Sequence, residues 1–181
     1  MSQVTRKAPV LDALVDLFYE SMNELGEFVE IPRGAAPAPY DELLAHDKHM
    51  TVTVERFHDS KVDVDVLQVH NSRTHYSGKI LLTRQSDGAV VQYGIVRLCL
   101  DFLEPQVRAE IESQNTPLGR ILIEHNVMRQ VQLISLWKVT PGEDLRKLFG
   151  LADADVTYGR TALIYCNGVP AVELLEIVAP V

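Results

Sequence analysis

The sequence predicts an α+β fold, in which one mainly antiparallel sheet is covered by helices. Three observations predict it. Strand-like stretches outnumber helix-like ones, and short turns join most of them. The chain has 181 residues, of which 46% are hydrophobic, enough to form a core without a disulfide or a metal. Finally, no internal repeat and no domain boundary is visible, so residues 1–181 are predicted to form a single domain.

The N-terminal part predicts helices and loops. From about Pro9 to Leu25, apolar residues recur at spacings of three and four and predict one helix, with Gly26 as its stop. The stripe consists of Leu11, Leu14, Val15, Phe18, Met22 and Leu25. The proline-rich segment Pro32–Pro39 predicts a loop, and Asp41–Asp47 a short helix.

The central part predicts strands. Met50–Arg56 alternates between apolar and polar residues, and so does the run from Val62 to Val66. The alternation slips after Val66, which predicts a bulge or bend. The remaining predicted elements are two strands around the Asp87-Gly88 turn (Tyr76–Arg84 and Ala89–Leu100) and two helices (Pro105–Gln114 and Leu118–His125).

The C-terminal part contains the clearest local signal. Asn167-Gly168 lies between two apolar runs and predicts a hairpin with a tight type I′ turn. Before it, Val127–Val139 alternates like a strand, and Thr140–Asp155 predicts a loop with one or two helical turns.

The charge and cysteine content restrict the partners and the compartment. A formal net charge of -8, from 17 basic and 25 acidic residues, argues against binding to nucleic acid. No basic run and no long apolar segment suggests a membrane partner, and the N-terminus lacks a signal-peptide cleavage site. Two isolated cysteines, Cys99 and Cys166, are typical of free thiols. We therefore expect a soluble, cytoplasmic protein. The sequence does not indicate its oligomeric state.

Several familiar kinds of site are not supported. His46 and His49 have a spacing found among metal ligands, but no third ligand stands at a defined distance, so we expect no metal. The sequence has no GxSxG elbow and no glycine-rich phosphate loop. We therefore expect no organic cofactor either.

Two features are candidates for chemistry. In Thr116–Arg120, Pro117 can start a helix while Gly119 permits close approach of another backbone, although a plain helix cap is the alternative. In the last strand, Glu173 and Glu176 have opposite parity, so one of the two carboxylates faces inward. An inward carboxylate in an apolar wall often carries out chemistry. The alternative is an edge-strand charge.

At these residues the sequence resembles the chorismate pyruvate-lyase family. The family pattern corresponds to Thr116-Pro-Leu-Gly-Arg120 and to Tyr158-Gly-Arg160. It continues with the Asn167-Gly168 turn and Pro170, and then with Glu176 followed by Pro180. In addition, Ser21-Met22 is similar to a pair in the first helix of the family. One extra residue lies between Pro170 and Glu176. The resemblance implies a chorismate lyase-like fold, with a six-stranded antiparallel sheet and a ligand sealed between sheet and helices.

The resemblance also implies a reaction and its residues. Chorismate would be split into 4-hydroxybenzoate and pyruvate without a cofactor. Glu176 would bind the ring hydroxyl and serve the proton transfer, and Met22 and Leu118, with Gly119, would line the pocket. The partner would then be a small cyclic or aromatic carboxylic acid.

One departure from the family favours an alternative. Gly78 stands where the family has the arginine that grips the substrate carboxylate, so we expect weak or absent chorismate turnover. Arg97 on the next strand either replaces that arginine or lies exposed on the outer face. The first hypothesis is a lyase-like enzyme; the alternative is a non-lyase protein on the same fold that binds a ligand or serves a specialised biosynthetic pathway. The third is a structural protein with a filled core.

Overall fold

The fold is organised around a single sheet of seven antiparallel strands, in the order β1-β5-β6-β7-β4-β3-β2. A computed structural model describes residues 8–127, 129–153 and 155–181. The strands are β1 Gly26–Ile31, β2 Val62–Asn71, β3 His75–Arg84, β4 Val90–Cys99, β5 Arg129–Pro141, β6 Thr157–Cys166 and β7 Val169–Val178. The α+β prediction is confirmed, with one strand more than the six expected. The prediction that residues 1–181 form one domain stays a prediction.

Helices cover both faces of the sheet. The helices are α1 Leu11–Val15, α2 Met22–Leu25, α3 Tyr40–Leu44, α4 Met50–His58, α5 Pro105–Ser113, α6 Leu118–Glu124 and α7 Glu143–Phe149. Helices α3 to α6 pack on one side, here called face A, over two buried apolar clusters. Helices α1, α2 and α7 pack on the other side, face B, over a third cluster.

The predicted N-terminal helix is two short helices. The second one starts at a capping box, in which the Ser21 amide donates to Glu24 Oε1 at 2.9 Å and the Ser21 side chain accepts from the Asn23 amide at 3.4 Å. Such a box defines a new helix start. After Leu25 the chain enters β1 directly at Gly26, an edge strand that sequence patterns did not predict.

The predicted strand Met50–Arg56 is wrong, because this segment forms helix α4. Its buried residues, Met50, Thr51, Thr53 and Val54, lie on one side of the helix. Met50 and Val54 are four residues apart and therefore share the buried side of the helix, whereas Val52 between them is 48% exposed. Packing of this segment against the sheet therefore selected the helix over the predicted strand.

The C-terminal hairpin is confirmed. Asn167 and Gly168 both have positive φ, 52° and 78°, as a two-residue type I′ turn requires. Cys166 pairs with Val169, and β6 therefore lies beside β7. The slip after Val66 is also confirmed as a register shift between Val66 and Gln68.

A bulge in β7 sets which side chains face inward. Ile164 pairs with Val172 while Tyr165 pairs with Pro170, so Ala171 is the inserted residue. Beyond the bulge, Glu176 lies on face A, where it is 8% exposed. Glu173 lies on face B, and the inward carboxylate is therefore Glu176.

No helix in the described ranges is both long and apolar enough to span a membrane. Within the same ranges both cysteines, Cys99 and Cys166, are free thiols.

Candidate functional site

An enclosed cavity lies on face A, between the sheet and the N-terminal ends of α4 and α6. Its volume is about 50 Å³. Most of its wall is apolar, built by Met50, Ile80, Leu82, Val96, Pro117, Leu118, Val131, Ile164 and Leu174. The remaining lining residues are His49, Thr51, Gln92, Gly119, Arg160 and Glu176. An apolar wall with a few convergent polar groups is typical of a binding site for a small molecule.

The charged part of the lining is a buried ion pair. Arg160 on β6 is fully buried, and its Nε donates to Glu176 Oε2 on β7 at 2.7 Å. The other two guanidinium nitrogens donate to the carbonyl oxygens of His46 and Lys48, at 2.8 and 2.9 Å. A buried charge needs such compensation. The arrangement therefore joins two strands to the loop before α4.

That loop is also held by its own side chains. Asp47 Oδ1 accepts from the Leu133 amide on β5 at 2.8 Å. His46 Nε2 donates to the Leu43 carbonyl at 2.7 Å, and Nδ1 accepts from the Lys48 amide at 3.1 Å. Burial, together with the charge of Arg160, lowers the pKa of His46 to about 4. The ring is therefore neutral near pH 7.

The histidine spacing has a structural explanation. Both ring nitrogens of His46 make hydrogen bonds within the loop. In the described part of the chain, no group of three or more His, Cys, Asp or Glu residues is placed to hold a metal ion.

The Thr116–Arg120 segment forms the contact between α6 and α4. A Cβ atom at Gly119 would lie 2.9 Å from Thr51 Oγ1, so only glycine allows this approach without movement of Thr51. Arg120 forms an ion pair with Glu55 on α4. The segment thus begins α6 and also places Leu118 against the cavity.

Gln92 on β4 is the most unusual member of the lining. It is 3% exposed, and its Oε1 atom is buried without a hydrogen-bond partner among the residues that the structure describes. Such an atom costs roughly 1–3 kcal/mol, and few occur in native proteins. The acceptor therefore has a free bonding position beside the cavity, which suits a donor on a ligand.

The structure brings together three of the predicted site residues and separates the other three. Glu176, Leu118 and Gly119 line the cavity. Met22 packs against the apolar cluster on face B, so the prediction that it lines the pocket is wrong. α2 begins at Met22, after the break at Ser21, and runs along that face.

Arg97 also lies on face B, where its Nη1 is 3.2 Å from Glu173 Oε2. It shares the parity of Tyr93 and Ile95, whose side chains belong to the cluster on that face. Arg97 therefore does not replace the family arginine, and the idea of a replacement clamp is wrong.

Gly78 is on face A, but it does not line the cavity directly. A Cβ atom there would lie 3.4 Å from both the Tyr76 ring and Val96. The ring of Tyr76, which is 4% exposed, thus occupies the space into which a side chain at position 78 would extend. Among the described residues of the lining, Arg160 is the only lysine or arginine, and its nitrogens are already engaged.

Sequence reasoning gave no role to two of these residues. Arg160 was part of the Tyr158–Arg160 pattern, but its pairing with Glu176 depends on the bulge at Ala171. Gln92 carried a usable signal, because it is the one polar residue with cavity-side parity in the apolar run from Val90 to Val96.

Comparison with known proteins gives matches in structure alone. No model of a known protein family matches the sequence, and no curated protein matches it. Similar solved structures include PhnF from Mycobacterium smegmatis, with 11% identity, a TM-score of 0.54 and coverage of 72% of this chain and 63% of PhnF. A Staphylococcus aureus gene product has 9% identity and a TM-score of 0.51, over 75% of this chain and 90% of that one. A third is the C-terminal domain of the histidine utilization repressor from Pseudomonas syringae, with 9% identity, a TM-score of 0.45 and coverage of 66% and 92%.

The fold is chorismate lyase-like. At these identities the likenesses show the fold alone, and the chain spans less than two thirds of PhnF. The prediction of lyase function is wrong, because PhnF and the Staphylococcus aureus gene product, which resemble this chain in fold, are not described as lyases. The expectation that the products are 4-hydroxybenzoate and pyruvate, which depended on lyase function, is therefore also wrong.

Proposed function

We propose that this protein binds a small, uncharged organic molecule in the face A cavity and does not act as a lyase. The observation that carries the proposal is that Gln92, a residue of the lining, has a buried Oε1 atom that accepts no hydrogen bond from the residues that the structure describes. A ligand hydroxyl or N–H group would supply the missing donor. The apolar wall would enclose the rest of the molecule.

The charges around the cavity favour a neutral ligand over a carboxylic acid. Arg160 and Glu176 compensate each other at 2.7 Å. Among the described lining residues, a ligand carboxylate would meet no free side-chain cation, since the Arg160 guanidinium already donates to Glu176, His46 and Lys48. Burying an unpaired charge is costly. The ligand class is therefore an alcohol, a phenol or an amide.

The cavity adjoins the solvent-exposed surface of the protein. It shares His49 and Val131 with an open surface cleft of about 720 Å³. The cavity itself, at about 50 Å³, holds a few waters, whereas drug-sized ligands occupy roughly 300–1,000 Å³. Side chains of the lining must therefore move when a ligand enters.

The test compares two probes that differ in one donor. Phenol can donate to Gln92, and anisole cannot. In isothermal titration calorimetry we expect the wild type to prefer phenol by about tenfold, as one hydrogen bond of roughly 1.4 kcal/mol implies. A Gln92→Leu variant should lose the preference, because leucine fills a similar volume without an acceptor.

The matched control is Gln68→Leu, the same change at an exposed position of β2. It should keep the wild-type preference for phenol. Equal binding of phenol and anisole by the wild type, or no binding of either, would contradict the proposal.

A further inference from the structure

We propose that the natural ligand is elongated, with a polar group at each end, and that Leu118 is the movable partition between the two compartments that the ligand joins. This inference rests on the proposed function, since it names the shape and the second polar end of the ligand at that same site.

A second, partly open space adjoins the cavity on face A. Its volume is about 40 Å³. It lies between β2, β3 and β4 on one side and α5 and α6 on the other, and it shares with the first cavity only Ile80, Val96 and Leu118. These three side chains therefore form the boundary between two compartments.

Of the three boundary residues, Leu118 is the one that can move. Ile80 and Val96 belong to the adjacent strands β3 and β4, which hold their backbones, and branching at Cβ restricts their side-chain rotamers. Leu118 is the first residue of α6, follows Pro117, and is only partly buried. A change of rotamer at one leucine is a small rearrangement, and it would connect the compartments.

The second compartment ends in polar groups. Its lining includes Tyr76, Gln114 and Thr116. Burial raises the pKa of Tyr76 above its usual range, so the hydroxyl stays protonated near pH 7. A ligand that crosses the boundary would meet a hydroxyl and an amide.

The backbone gives the length of this ligand. The Tyr76 ring reaches over Gly78 on β3. Gln92 on β4 pairs with Leu82, which also lies on β3. Positions 78 and 82 are four residues apart, which corresponds to roughly 13 Å at about 3.3 Å per residue. Two linked rings with a hydroxyl at each end have about this length once the reach of the protein side chains is allowed for.

The test uses biphenyl-4,4′-diol, with 4-phenylphenol and phenol as shorter or less polar probes. In a Leu118→Ala variant we expect the affinity for the diol to rise about tenfold more than the affinity for phenol, both relative to the wild type. A Leu118→Met variant keeps the side-chain volume and should resemble the wild type.

A second variant tests the far end without creating a cavity. Tyr76→Phe should weaken binding of the diol by about tenfold and leave the affinity for 4-phenylphenol unchanged. If neither Leu118→Ala nor Tyr76→Phe selectively alters the affinity for the diol, while phenol binding still depends on Gln92, the two-compartment inference is overturned and the proposed function stands. If phenol binding does not depend on Gln92 in any variant, both fail.

Discussion

At the scale of single residues, Arg160 holds the site together. It is fully buried and donates to Glu176 and to two loop carbonyls. The Arg160→Met variant leaves Glu176 buried and unpaired, so we expect it to lower the free energy of unfolding by about 3–5 kcal/mol. Urea denaturation measures this loss.

The matching double variant separates a lost charge pair from lost packing. Arg160→Met with Glu176→Leu removes both charges, so it should be more stable than Arg160→Met alone. A double variant that is less stable than the single one would show that Glu176 does not depend on Arg160 for compensation.

His46 predicts a pH dependence of stability. Its pKa is lowered from 6.5 to about 4 by burial and by Arg160. Between these pH values the unfolded chain binds a proton that the native chain does not, so stability falls as the pH drops from about 6.5 to about 4. A His46→Asn variant should show a shallower fall over this window in urea titrations.

The control for His46 is His70→Asn, which changes an exposed histidine of β2. It should keep the wild-type slope. Equal slopes for His46→Asn and the wild type would mean that His46 is not held neutral by its surroundings.

At the scale of elements, two glycines of the sheet, Gly78 on β3 and Gly159 on β6, are expected to respond in opposite ways to substitution by alanine. A Cβ atom at Gly78 would make ordinary contacts at 3.4 Å, whereas one at Gly159 would lie 2.8 Å from the Glu176 carbonyl oxygen. Gly78→Ala should therefore stabilise the protein by about 0.4–1 kcal/mol, and Gly159→Ala should destabilise it by roughly 1–3 kcal/mol. Thermal unfolding of both variants checks the contrast, and a destabilised Gly78→Ala would contradict the geometry at β3.

The elements also show what the sequence could predict. The Asn167-Gly168 turn fixed the hairpin because its residues demand positive φ. If the turn alone set the register between β6 and β7, Arg160 would lie opposite Leu175. The bulge at Ala171 shifts the register by one and brings Arg160 opposite Glu176. A one-residue slip of this kind exchanges the partners of every later position, and alternation alone does not locate it.

The same limit applies to the segment that became α4. Its alternation satisfied both periods at Met50 and Val54, and contacts remote in sequence decided between them. The family resemblance placed Leu118, Gly119 and Glu176 at the cavity, but it failed for Met22, because a capping box breaks the first helix and directs α2 along face B.

At the scale of the whole molecule, the described residues include a buried polar atom without a hydrogen-bond partner on each face, Arg146 Nε on α7 and Gln92 Oε1 on β4, but of these two residues Gln92 alone lines the cavity. On face B, Tyr19 bonds Tyr93 at 3.0 Å and Asp144 at 2.7 Å, and Lys79 completes the network at 2.7 Å from Asp144. On face A, Gln92 keeps an unused acceptor beside an enclosed cavity. A satisfied network stabilises the fold, whereas an unused acceptor in a cavity suits a ligand. Binding is therefore assigned to face A.

The most direct test of this assignment is the anomalous difference map of crystals soaked with 4-bromophenol, at a pH where the phenol is uncharged. The account predicts a bromine peak inside the face A cavity, with the phenol hydroxyl within hydrogen-bond distance of Gln92 Oε1 and Leu118 displaced. The Gln92→Leu crystals should show a much weaker peak under the same conditions. A bromine peak outside this cavity, or equal peaks in the two proteins, would contradict the account.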